Sequence, residues 1–242
     1  ERSAVVSPTR LPEPADTVAP PDSLAGLNEL PAFVAGAPPP PAPPAVIRRS
    51  ETGQATLRAV RLDQPIDVDG VVDERVYEDV AAVSGFIQVE PDAGQPATER
   101  TEIWLFFDDT DIYLSSRAWD SSWADPQWIA NEMRRDSLNL LNNEHVGIVL
   151  DTFHDRRNGI LFNITPLGGR MDGQITNEGN WNGDWNPIWD VRTGRFDGGW
   201  TLEAEIPFKS LRYHPGGPQI WGIQLRRNLQ SLNEIAYLTP LD

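Results

Sequence analysis

The chain has 242 residues, 22 of them Pro and none Cys, with a formal net charge of −16; its length suits one domain of about 150–200 residues plus a tail. The charge excludes non-specific nucleic-acid binding, which needs clustered Lys and Arg against the phosphates, and docking on an anionic lipid surface. The missing Cys excludes a disulfide scaffold, a thiolate metal site and a Cys nucleophile.

Residues 1–56 are rich in Pro and Ala, with Pro38-Pro39-Pro40-Pro41 and Pro43-Pro44 at the centre of the run and no Trp or Tyr. Such a segment buries too little apolar surface to offset its ordering entropy, so it is predicted to be a disordered, partly polyproline linker. The folded domain is predicted over 57–242. All nine Trp lie between Trp104 and Trp221.

Period-2 alternation predicts strands over Thr56–Arg61, Phe86–Val89, Glu99–Phe107, Ile112–Trp119, His145–Asp151, Ile160–Thr165, Met171–Thr176, Trp189–Thr193, Trp200–Ile206 and Ile220–Asn228. The turns between them carry suitable chemistry. Asp108-Asp109-Thr110-Asp111 bonds its own backbone, Asn158-Gly159 closes a hairpin, and Leu167-Gly168-Gly169 and Asp197-Gly198-Gly199 supply positive φ. Helix is suggested only at Asp73–Val80 and Gln127–Leu141. The fold class is therefore all-β: an antiparallel β-sandwich of jelly-roll type with one or two short helices. No run of about 18 apolar residues is present, so no transmembrane segment is expected. The sequence starts without Met or a signal peptide, as after processing or in a fragment.

Four motifs stand in a fixed order: Ile66 to Glu74 (IDVDGVVDE), Asp108 to Leu114 (DDTDIYL), Val149 to Arg157 (VLDTFHDRR) and Gly199 to Phe208 (GWTLEAEIPF). In this order and spacing the chain, over about residues 60–240, resembles the family 9 carbohydrate-binding module. It is more similar still to the form of that module at the N-terminus of bacterial outer-membrane β-barrel proteins. The resemblance implies a non-catalytic, carbohydrate-binding sandwich, exported to the bacterial cell envelope, periplasmic or outer-membrane-associated. It also implies a transmembrane barrel following residue 242, and it raises a structural Ca²⁺ with no other cofactor required. Two alternatives stay open: a docking domain of the barrel protein with no sugar site, and an accessory module linked to glycoside hydrolysis and carbohydrate catabolism. The family holds sugar between two Trp. The matching positions fall near Leu141 and within Ser231–Leu238, where no Trp stands, so a sugar site here must be built otherwise.

Aromatic rings cover the C–H faces of sugars while polar groups bond the hydroxyls. Trp181-Asn182-Gly183-Asp184-Trp185-Asn186-Pro187-Ile188-Trp189 is the leading candidate, a polar loop dense in Trp. Trp119-Asp120-Ser121-Ser122-Trp123 is the second. Trp181, Trp185 and Trp123 are the expected contacts, with Asn182 and Asp184 as polar partners; the competing reading makes these Trp core or loop anchors. Trp104, Trp200 and Trp221 read as core, as does Trp189.

Asp108, Asp109 and Asp111 are the candidate calcium ligands, although Asp is also the ordinary turn residue. Asp67, Asp69 and Asp73 share another loop. Glu203 and Glu205 alternate on one strand and read as a solvated face rather than the acid and base of a glycosidase, which flank a cleft. The three His fit no zinc spacing. The pairs Arg134-Arg135, Arg156-Arg157 and Arg226-Arg227 read as salt-bridge partners, or as forks for sugar hydroxyls or an acidic ligand.

Overall fold

A computed structural model describes residues 38–240. Its strands are β1 (Ile47–Arg49), β2 (Ala55–Leu57), β3 (Val60–Arg61), β4 (Ile87–Glu90), β5 (Thr101–Phe107), β6 (Asp111–Trp119), β7 (His145–Asp151), β8 (Gly159–Ile164), β9 (Arg170–Thr176), β10 (Asn180–Asn182), β11 (Asp190–Phe196), β12 (Gly199–Pro207), β13 (Gly222–Leu229) and β14 (Glu234–Tyr237), with one α-helix, α1 (Arg75–Asp79). They form a seven-stranded sheet, β10-β9-β8-β7-β13-β14-β4, and a five-stranded sheet, β11-β12-β6-β5-β3. All pairings are antiparallel except β3 with β5, and β1 pairs with β2 as a separate ribbon. The result is an all-β sandwich.

Alternation builds the core. On β12, Trp200, Leu202, Ala204 and Ile206 point inward and meet Ala118, Leu114 and Ile112 of the neighbouring β6. Val146, Ile148 and Leu150 of β7 and Ile160, Phe162 and Ile164 of β8 face them from the other sheet. Burying each of the larger of these side chains contributes about 1.5–3 kcal/mol. The outer face of the five-stranded sheet is covered as well. Trp104, Phe106 and Tyr113 pack beneath Leu62, Ile66, Val72 and Tyr77, and the Tyr77 and Trp104 rings meet edge-on at 5.2 Å. Strand β5 is thus apolar on both faces, and alternation alone does not distinguish them there.

Three expectations need correction. The Pro-rich stretch is not a disordered linker to residue 56. Its first 37 residues lie outside the described residues, but Val46 is buried in the core and Ile47–Arg49 pairs with Ala55–Leu57. Arg49 then ties this ribbon down, donating to the carbonyls of Leu238 at 2.7 Å and of Ser84 and Gly85 at 3.0 Å. The segment 127–141 is not an α-helix, and only Leu138–Asn142 forms a 3₁₀ turn. Its backbone groups are spent on other bonds: Asn131 and Glu132 N–H donate to the Asn143 side chain, and the Ile129 carbonyl accepts from Glu144 N–H. The hairpin after β7 is shaped by aspartates rather than by Asn158-Gly159. The Asp151 carboxylate accepts from the N–H groups of Asp155 and Arg156, and Asp155 accepts from those of Arg157 and Asn158.

Candidate binding site

The loop after β10 carries the chain from one sheet to the other and separates its three Trp. Trp181 stands at the sheet edge, 39% exposed. Its benzo end occupies the space a Cβ would need on Gly173, where a methyl group would meet Trp181 Cη2 at 2.1 Å. Gly173 therefore lets the indole lie against β9. Asn182 and Asp184 follow it in the chain and are exposed, the Asn182 Oδ1 accepting from Asp184 N–H at 3.2 Å and its amide reaching Gln174 at 3.5 Å, on the face opposite Trp181.

Trp185 does not join them as a surface ring. It is half-buried against the core and meets Phe162 edge-on at 6.0 Å. Trp189 is buried, as expected, and donates its indole N–H to Asp172 Oδ1 at 2.7 Å. Arg135 shares that carboxylate oxygen at 2.8 Å and also donates to the Pro187 carbonyl, so an ion pair of a half-buried guanidinium with a buried carboxylate fixes the end of the loop. Trp123 is 42% exposed but belongs to the turn after β6, on the other sheet. The structure thus leaves Trp181, Asn182 and Asp184 on one exposed stretch, with Trp181 and Asn182 turned to opposite faces of β10, withdraws Trp185, and leaves Trp123 apart.

The carboxylates are committed to structure. Asp108 Oδ1 accepts from the N–H groups of Thr110 and Asp111, and Oδ2 from the Tyr113 hydroxyl. Asp109 pairs with Arg61 at 2.5 Å, and Asp111 accepts from the Thr110 hydroxyl. Among the described residues no group of three acidic or His side chains is placed to hold a metal ion. Calcium takes six to eight oxygens, and this donor set does not fit it.

Glu203 is not on a solvated face. It is fully buried beneath the 66–80 segment, accepting from Tyr77 Oη at 2.6 Å and from the N–H groups of Gly70 at 2.9 Å and Asp69 at 3.2 Å. Burial pushes its carboxyl up to about 7, against those bonds. The covering segment leaves Glu203 no cleft to share with Glu205. His145 is buried with Nδ1 against the Asn143 carbonyl, and burial holds its imidazole neutral. Of the paired arginines, Arg134, Arg135, Arg157 and Arg227 meet carboxylates.

A groove of about 330 Å³ lies on the outer face of the five-stranded sheet, where Trp119, the first residue of the second candidate segment, meets Phe196 edge-on at 4.9 Å. Strand parity places Arg117 and Trp119 on one face, but the loop that walls the groove comes from residues 71–73, far away in the chain.

These features define a β-sandwich that presents aromatic rings at its surface. No family model and no curated protein sequence matches the chain. Solved structures share its fold, among them these two. One is a family 9 carbohydrate-binding module from Caldicellulosiruptor kristjanssonii in complex with glucose, with a TM-score of 0.50 and 17% identity over 75% of this chain and 84% of that one. The other, from Bacteroides uniformis, is named for a proposed carbohydrate-binding role and has a TM-score of 0.55 and 10% identity over 76% of this chain and 88% of that one. Likeness at this identity establishes the fold.

Proposed function

We propose that this chain is a non-catalytic carbohydrate-binding module. The observation that carries the reading is Trp181, an exposed indole laid against glycine at a sheet edge. The glucose complex of a structure with the same fold supports it. An exported location in the bacterial cell envelope, with a β-barrel partner after residue 242, belongs to the same proposal and is checked by fractionating cells that make the whole protein.

The test is calorimetric titration of the full chain with neutral mono- and oligosaccharides. Saturable binding is expected, weakened at least tenfold in Trp181→Ala with the circular dichroism spectrum unchanged. Trp185→Ala is expected to lower stability instead. A folded chain that binds no sugar, or a Trp181→Ala variant that binds like wild type, overturns the proposal. The second reading, a face that docks another protein, is favoured by Ile188, which is 74% exposed on the same loop.

A further inference from the structure

We propose that Asn182 is a site of spontaneous deamidation, converted without an enzyme to aspartate and isoaspartate. Asn-Gly occurs twice in the chain, at Asn158-Gly159 and at Asn182-Gly183. The reaction needs the side-chain carbonyl carbon within reach of the next backbone nitrogen. Glycine leaves that nitrogen unhindered and its backbone free to turn. Both pairs meet this local requirement, so the surroundings of each decide. Asn158 is locked: its Nδ2 donates to Asp155 Oδ2 at 2.6 Å, its N–H to Asp155 Oδ1 at 2.9 Å, and its Oδ1 accepts from Asn177 N–H at 3.4 Å. Gly159 after it is already in β8, paired with Ile175. Asn182 is open. It is the last residue of β10, an edge strand exposed throughout, and Gly183 lies in the turn beyond it. Its Nδ2 has only Gln174 Oε1, 3.5 Å away, which is longer than an ordinary N–H···O bond.

The chemistry balances with water as the only co-reactant. The Gly183 nitrogen gives its proton to solvent and bonds to Asn182 Cγ; the Cγ–Nδ2 bond breaks, and Nδ2 leaves as ammonia. Asp184 N–H already donates to Asn182 Oδ1 at 3.2 Å, so it faces the oxygen on which negative charge develops during the attack. Water then opens the cyclic imide. Opening at Cγ gives aspartate. Opening at the main-chain carbonyl gives isoaspartate, whose backbone runs through Cβ and Cγ and is longer by a methylene. The added length falls where Asn182 pairs with Gln174, directly after Trp181. It therefore shifts the end of β10 and the seat of the Trp181 indole against Gly173.

The test incubates the full chain at pH 6 and pH 8, folded and in urea. Both Asn are followed by peptide mapping with mass spectrometry that separates isoaspartate from aspartate. In the folded chain Asn182 is expected to convert at least tenfold faster than Asn158. The rate is expected to be higher at pH 8 than at pH 6, because the attacking nitrogen must lose its proton. In urea the two sites are expected to convert at similar rates, since their local sequence is the same. Asn182→Gln, whose longer side chain closes the ring poorly, is expected to stay unmodified at this position. It is also expected to keep a single Trp181 indole N–H signal by ¹⁵N nuclear magnetic resonance, where the ageing wild type shows two. Equal rates at Asn158 and Asn182 in the folded chain, or an Asn182 that converts only in urea, overturns the proposal. An unsplit Trp181 signal in a sample rich in isoaspartate overturns the shift of β10.

Discussion

Glu203 accepts three hydrogen bonds beneath the 66–80 segment, and it does so without a cationic partner. Its folded carboxyl, at about 7, lies above the ordinary 4.5. The stability it contributes is therefore fully present below pH 4.5 and is lost as pH rises through 7. Glu203→Gln retains the amide oxygen for Gly70 and Asp69, and its NH₂ faces Tyr77, whose hydroxyl turns to Ser115 at 2.8 Å. Urea unfolding from pH 5 to pH 8 is expected to show the variant gaining roughly 1–3 kcal/mol on wild type as pH rises. A difference that stays flat with pH rejects this account. His145, held down to about 3 by burial, loses stability as pH falls from 6.5, the opposite sense, and cancels because both proteins carry it. The sequence showed Glu203 and Glu205 sharing a face but not the lid over one of them. That lid comes from residues more than 120 positions away, as in the Tyr77 contact.

At the scale of elements, strands were legible and their boundaries nearly so, because one-sided burial imposes a period of two. Predicted His145–Asp151 coincides with β7, and predicted Ile112–Trp119 lacks only Asp111 of β6. Strand β1 was missed since Pro and Ala around it give no period, while predicted Thr56–Arg61 overlaps β2 and β3. The order of β1 comes from Val46 in the core and from Arg49 bonded to three carbonyls. A chain begun at residue 57 is expected to lose several kcal/mol against one begun at residue 38, on the order of one buried side chain plus hydrogen bonds to a charged group. Equal denaturation midpoints for the two chains contradict this. The short strands β10 and β14 were also missed, one being exposed throughout and the other only four residues long.

Across the whole molecule, the two sheets close over a buried charge pair. Arg227 donates to Glu144 at 2.9 Å, both essentially without exposure, and the guanidinium lies 5.1 Å from the centre of the fully buried Trp200 ring. Glu144 Oε2 also accepts from Gln230 N–H at 3.0 Å, so the pair holds the turn after β13. Arg227→Met leaves a lone buried carboxylate and is expected to cost about 3–5 kcal/mol. The double variant Arg227→Met with Glu144→Gln is expected to recover part of that loss in thermal unfolding. If the double variant is no more stable than the single, the stranded charge is not the cause.

The sequence by itself determined the fold class, most strands, the Asp-rich turns and the buried fate of Trp104, Trp189 and Trp200, because alternation and turn chemistry are local. It also placed Trp181, Asn182 and Asp184 on one exposed stretch. Only the tertiary structure decided that Trp185 turns inward to Phe162, that Trp123 belongs to the other sheet, and that Arg117, Trp119, Arg195 and Phe196 surround one groove. Those outcomes depend on which strands become neighbours and which segment covers an outer face, and contacts between distant residues leave no period in the chain.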